Sequence, residues 1–193
     1  MTVKEVLEIS AKQLGEQDAL LLFCDKAPEN TEYAEQTAKL LKQCYDLVTD
    51  EIACEFLPLK TTQKFNVCDN KIAFSTFSKV PLKIVCVTDE NLNKCAYKVI
   101  NDYLSVKNGA IEVTYEYRPE VQQLTEHASF VNGVIGAYVL CFGINAEFCF
   151  ARGRYGESEK WREKFLSGIK NRIANKSAIA VKLFSPPESC IIF

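Results

Sequence analysis

The sequence predicts an α+β protein: a helical bundle of two N-terminal and two C-terminal helices, carrying an inserted antiparallel β subdomain of about six short strands. Three observations predict it. Apolar residues recur at helical spacing in the first 58 residues and again after Leu124 and Thr125. Between Thr62 and Tyr117 the period drops to two, with turn-forming residues between the runs. The chain has 193 residues, 48% hydrophobic and 25% charged, which suits one globular domain with a sizeable insertion.

The first helix opens at Thr2, which has capping-box spacing to Glu5. Val3, Val6, Leu7, Ala11 and Leu14 form its apolar stripe, and Gly15 is a natural stop. Leu20 to Cys24 reads either as a short helix or as a buried extended run. A second, longer helix follows Asn30 or Thr31 as cap and carries Tyr33, Thr37, Leu40, Leu41, Cys44, Leu47, Val48 and Ile52 at helical spacing. It is expected to run to about Phe56, before Pro58, a length of roughly 37 Å.

The β region begins with KFNVCDNKIAFST. Read as a hairpin turning at Asp69 and Asn70, it sets Val67 against Ile72 and Phe65 against Phe74. LSVKNGAIEVTYEY repeats the pattern at Asn108 and Gly109, setting Val106 against Ile111 and Leu104 against Val113. Tyr115 and Tyr117 continue that apolar face, and Glu112, Thr114 and Glu116 take the other. Residues 82–87 and 95–99 read as two further strands. A meander, a small sandwich or a partly closed barrel would each accommodate the set.

A third helix is expected from FVNGVIGAYVLCFGINAEFCFARGRY, with Gly153 ending it. From Phe130 to Ala146 it has 17 residues without a charge. A membrane-spanning helix needs about 20 apolar residues. This run contains Asn132 and Asn145, and Glu147 follows it, so it reads as the central helix of a bundle. Gly133, Gly136 and Gly143 point to a close neighbour, with the second helix as the candidate, because each glycine weakens a helix by about 1 kcal/mol relative to alanine. A fourth helix starts near Gly156 with Trp161, Phe165, Ile169 and Ile173 as its stripe. The tail AIAVKLFSPPESCIIF has a strand-like start and then Pro186 and Pro187. The organisation is therefore 1–58 N-terminal helices, 59–120 β subdomain, 121–176 C-terminal helices and 177–193 tail or arm.

Charge is unevenly laid out. Residues 1–58 hold 5 basic and 12 acidic side chains, whereas residues 152–176 hold 8 basic and 3 acidic ones. The basic set is Arg152, Arg154, Lys160, Arg162, Lys164, Lys170, Arg172 and Lys176. Three readings apply: a solvated helix face, an interface with the acidic N-terminal region of the same or a neighbouring chain, and a salt-sensitive nonspecific contact with nucleic acid.

Other chemistries find little support. The nine cysteines are odd in number and lack CxxC spacing, so reduced, buried thiols in a cytoplasmic protein are expected, with no metal knuckle. The N-terminus lacks the continuous apolar run of a signal peptide. No phosphate-cradling glycine motif is present, and no cofactor is expected. His127, the single histidine, sits at an expected helix start; a Cys–His hydrolase or transferase would have to use it. An aromatic pocket around Phe65, Phe74 and Tyr97 would instead mark a cytoplasmic ligand- or protein-binding module.

The order of elements from about Thr31 to Lys176 resembles the head–tail connector, or neck adaptor, proteins of tailed bacteriophages and prophages. The resemblance lies in NTEYAEQTAKLLKQCYDLVTDEIACEFLPL, then IVCVTDENLNKCAYKV and IEVTYEYRPE, then LTEHASFVNGVIGAYVLCFGINAEFCFARG, and last GESEKWREKFLSGIKNRI. It implies a non-enzymatic virion component that forms a ring, contacts portal or tail proteins, and brings no catalytic residues. It also implies a C-terminal arm extended onto a partner, and a location in the host cytoplasm and then the virion.

Overall fold

The structure is a computed structural model that describes residues 1–131 and 135–184, with side chains to residue 174. It is mixed α and β, and its chain divides into two compact units: residues 1–48 with 122–193, and Thr49–Val121.

The first unit is helical. α1 (Val3–Leu14) has the full capping box: Glu5 N–H donates to Thr2 Oγ1 at 3.2 Å, and Thr2 N–H donates to Glu5 Oε2 at 2.8 Å. Gly15 ends it in the left-handed region at φ 74°. α2 (Gln17–Phe23) resolves the ambiguous stretch as a short helix. α3 (Thr31–Glu51) is capped by Asn30, whose Oδ1 accepts from Tyr33 N–H at 3.0 Å. A π-helical turn over Ile52–Phe56 carries it to the expected end.

α4 (Ala137–Ala151) is shorter than the sequence suggests. The helix does not begin near Thr125, because residues 124–128 are engaged elsewhere. Their carbonyls at Leu124 and Glu126 accept from Lys4 and Val3 N–H, both at 2.9 Å, and Ala128 N–H donates to Met1 O at 3.1 Å. This segment thus satisfies donors that the first turn of α1 would leave free. Phe130, at φ 66°, turns the chain away from helical geometry. Nearly the whole girth of α4 is buried, including Leu140, Cys141, Ile144, Phe148 and Cys149, so its lack of charge is met by protein. No helix among the described residues is long and apolar enough to cross a membrane.

Of the three glycines expected to admit a neighbour, Gly143 does so: a Cβ there would lie 2.7 Å from Val48 of α3 and 2.9 Å from the Phe165 ring. Gly136 is the N-cap of α4 and meets only Arg172 Nη2, at 3.6 Å, so it is not a packing glycine. Gly133 lies outside the described residues.

α5 (Tyr155–Phe184) packs along α4 with Phe165 and Ile169 fully buried. Its Gly168 faces Val139 of α4, 2.8 Å from where a Cβ would sit, a close approach the sequence reading missed. The helix continues through residues 177–184, where a strand-like start to the tail was expected. The last part of the tail lies outside the described residues.

Tyr45 of α3 joins the returning chain to the bundle. Its hydroxyl donates to Gln122 Oε1 at 2.5 Å and accepts from Ser129 N–H at 3.2 Å, with the ring fully buried. Ser129 N–H also reaches Gln122 Oε1 at 3.0 Å, so its donor keeps a partner if the hydroxyl is lost. Tyr45→Phe is therefore expected to cost about 1 kcal/mol in chemical denaturation, with cooperativity unchanged.

The second unit contains six strands: β1 (Leu59–Val67), β2 (Lys71–Ala73), β3 (Pro81–Asp89), β4 (Tyr97–Ile100), β5 (Tyr103–Val106) and β6 (Gly109–Tyr117). They form two antiparallel three-stranded sheets, ordered β1-β6-β3 and β2-β5-β4. Both sheets feed one core, from Val67 and Ile72 through Leu104 and Val106 to Val113 and Tyr115. Of the three arrangements considered, this is the small sandwich.

Neither expected hairpin forms. Val67 pairs with Gly109 and Ile72 with Leu104, so Asp69 and Asn70 carry the chain from one sheet to the other. Asn108 and Gly109 do the same between β5 and β6. The two turns are tied together, Asn70 N–H donating to Asn108 Oδ1 at 2.6 Å. The expected division of β6 does hold: Ile111, Val113 and Tyr115 are buried, while Glu112, Thr114 and Glu116 line the other face.

Among the eight described cysteines, all unbridged, only Cys44, Cys141 and Cys149 are buried; Cys24, Cys54 and Cys68 are exposed. The expectation of buried thiols thus holds for a minority.

Candidate functional site

The basic stretch starts at the α4–α5 turn, where Gly153 at φ 73° reverses the chain. Arg152 Nη2 donates to Thr37 Oγ1 at 2.9 Å, and its guanidinium sits 5.5 Å from the Tyr33 ring and 5.4 Å from the Phe148 ring. Arg154 pairs with Glu16 at 3.5 Å and Glu157 at 3.7 Å and lies 5.5 Å from Phe148. Tyr33 donates its hydroxyl to Glu16 Oε2 at 2.8 Å. The two arginines thereby fasten the α4–α5 hairpin to α2 and α3. Arg162 pairs with Glu147 at 3.9 Å and lies 5.3 Å from the Phe165 ring.

Three members of the basic set therefore have partners in their own chain. Glu16, Tyr33 and Thr37 are the residues that sequence reasoning missed. The acidic character of the N-terminal region announced the sign of the contact but named no pair.

The remaining cations face outward. Lys160, Lys170 and Arg172 are exposed and have no acidic partner among the described residues. Lys164 lies 4.4 Å from the Trp161 ring and 5.8 Å from Phe142, which stacks on Trp161 at 5.7 Å. The side chain of Lys176 lies outside the described residues. Aromatic rings of α4 and α5 are exposed as well: Tyr138, and Phe150 and Tyr155, each 61% exposed, which meet edge-on at 5.5 Å. Aromatic residues and arginine, though not lysine, are enriched at protein interfaces.

An acidic counterpart exists on the same unit. A cleft of about 330 Å³ is lined by Gly15, Glu16, Asp18, Glu29 and Tyr33. Glu32 and Glu35 on α3 are exposed close by in sequence and carry no cation partner among the described residues.

His127 does not begin a helix. It forms an isolated antiparallel bridge with Thr2, and its exposed side chain makes no hydrogen bond or ion pair among the described residues. Burial pushes the Cys44 thiol up to about 12 and the Cys141 thiol up to about 11. These two are held protonated, the reverse of what activates a sulfur nucleophile.

Two of the three aromatic residues whose pocket would mark a binding module pack against the sandwich core. Phe65 and Phe74 pack on Phe77, with ring centroids 4.8 and 5.7 Å away, while Tyr97 donates its hydroxyl to Ile84 O at 3.3 Å. Phe65 does border a groove of about 520 Å³ with Lys64, Ile111 and Glu112 at one end of the sandwich. Tyr97 borders a separate, shallower one with Lys98 and Val106.

No family model and no curated protein matches this chain.

Proposed function

We propose that the chain is a structural assembly protein, a head–tail connector of a tailed phage or prophage, acting through contacts between its own copies and with portal or tail proteins. The observation that supports this reading is the set of exposed cations on α5. Lys160, Lys164, Lys170 and Arg172 have no acidic partner among the described residues, while Asp18 and Glu29 border a cleft on the same unit and have no cation partner among the described residues. A head-to-tail contact would set the α5 of one copy against that cleft on the next, and such a contact closes into a ring when the rotation permits. The C-terminal end of the chain would reach the portal or tail partner.

The test is native mass spectrometry of the full chain at rising salt, beside K160E/K164E/K170E. Assembly is expected to weaken with salt and to fall by about tenfold or more on charge reversal. A chain that is monomeric at every concentration, indifferent to salt, reversal and added portal protein, rejects the reading.

A second reading, a cytoplasmic binding module, is favoured by the groove beside Phe65 and Ile111. A small molecule copurifying with the chain and displaced by Ile111→Trp would select it.

A further inference from the structure

The two sheets of the sandwich treat charge on their outer faces differently. On the first, the middle strand β6 answers the lysines of its neighbours with carboxylates. Lys60 of β1 and Lys83 of β3 both stand in register with Glu116, and Lys64 stands opposite Glu112. Lys60 Nζ lies 3.6 Å from Glu116 Oε1. On the second sheet, the middle strand β5 sets Ser105 in that position. Lys71 of β2 and Lys98 of β4 are both in register with Ser105, one on either side. Leu104 and Val106, which flank Ser105 in sequence, are buried in the core, so strand alternation turns Ser105, Lys71 and Lys98 to the outside.

Lys107 adds a third cation. With Asn70, Lys98 and Ser105 it borders a shallow groove of about 410 Å³, and no carboxylate lines that groove among the described residues. Lys71, Lys98 and Lys107 are exposed and have no ion-pair partner among the described residues. Asp89 attracts Lys107 through space, but its oxygens accept from the N–H groups of Asn93 and Asn91, at 2.9 Å each. Lys71 Nζ stands 4.9 Å from the centre of the Tyr103 ring, a contact that leaves its charge uncompensated. Like charges gathered on one sheet face oppose folding, and an anion laid across them relieves the repulsion.

The composition of the face selects among anions. Lysine is depleted at protein interfaces, and arginine, whose planar fork suits carboxylates, does not occur on this face. Lysine ammoniums beside a serine hydroxyl and an asparagine amide are side chains that contact phosphodiester oxygens, and such contacts carry no sequence information. We infer that the outer face of the β2-β5-β4 sheet binds the phosphate backbone of nucleic acid without sequence preference, through Lys71, Lys98, Lys107 and Ser105. The chain's net charge of −2 makes this a weak, salt-sensitive contact. It is separate from the α5 contact above and does not depend on it.

The test uses full-length chain carrying K160Q/K164Q/K170Q, so that the α5 lysines do not contribute to the readout. Fluorescence anisotropy with a labelled DNA duplex of mixed sequence is expected to show binding at low salt, with log K falling linearly against log salt. Lys71→Gln, Lys98→Gln and Lys107→Gln should each reduce that slope by about 1. A duplex of unrelated sequence should bind equally well. Ser105→Glu recreates the balance of the first sheet. It should weaken binding by about tenfold or more while leaving the melting temperature equal or higher, because both flanking lysines gain an opposite charge across the strands. Five results each overturn the inference: no binding at low salt, a slope that the lysine substitutions leave unchanged, a marked preference for one duplex, a Ser105→Glu variant of unchanged affinity or lowered melting temperature, and equal binding to polyglutamate, which would make an acidic protein the partner.

Discussion

Gly143→Val is expected to destabilise the protein by about 3 kcal/mol or more, seen as a lowered midpoint in urea with the transition slope retained. The site has no room. The new Cβ alone would lie 2.7 Å from Val48 Cγ1 and 2.9 and 3.0 Å from two carbons of the Phe165 ring. Val48 and Phe165 are fully buried, so neither side chain can swing into solvent. Gly143→Ala brings the same clash with a gain of about 1 kcal/mol in helix propensity, and its net loss should be nearer 1 kcal/mol. Val48→Ala opens space on one side of the site. Gly143→Ala should therefore cost less in that background than in the native chain, a coupling that a double-mutant cycle measures. Equal costs in both backgrounds would mean that α3 does not set the limit.

Stability is expected to fall steeply above about pH 9, with each thiol that ionises only on unfolding contributing about 1.4 kcal/mol per pH unit. Burial pushes Cys44 and Tyr45 both up to about 12, and Cys141 up to about 11. Glu147 and Cys149 raise Cys44 further, and the thiol of Cys141 donates to Val6 O at 3.5 Å. In the unfolded chain these groups regain ordinary values, near 9.0 for the thiols and 10.0 for the phenol. The unfolded state then loses its protons first as pH rises. The contribution is complete below about pH 9 and is lost progressively until the folded groups ionise. Urea midpoints measured from about pH 8 to about pH 11 give the slope. Cys141→Ala should flatten it. A midpoint level across that range would show that the thiols ionise without unfolding.

The parts of the fold legible in the sequence are those whose physics is local. Thr2 and Glu5 stand three residues apart, and the box they form needs nothing else. The six strands announce themselves by alternation, which reports only that one face is buried. Pairing is another matter. Asp69-Asn70 and Asn108-Gly109 both look like hairpin turns, yet their partners are each other, through the bond from Asn70 to Asn108. A window of a dozen residues contains no trace of that. At the start of α4, apolar composition was read as helix, although the backbone of residues 124–128 was already committed to the first turn of α1. In α5, β-branched Ile179 and Val181 suggested a strand, but extending a helix already formed needs no new nucleus. The candidate site divides the same way. The opposed charges of the two ends could be counted, but the placement of Arg154 on Glu16 depends on how three helices pack.

The union of the chain's first residues with residues 124–128 bears on the order of events during synthesis. The sandwich is a continuous segment, and all of its strands exist once residue 121 has left the ribosome. The helical unit is split, and the carbonyls that complete the amino end of α1 arrive more than a hundred residues after it. Chain growth thus supplies a finished inserted unit while the bundle that flanks it in sequence is still half made. The earliest helices must wait with an open apolar flank until α4 and α5 emerge to cover it.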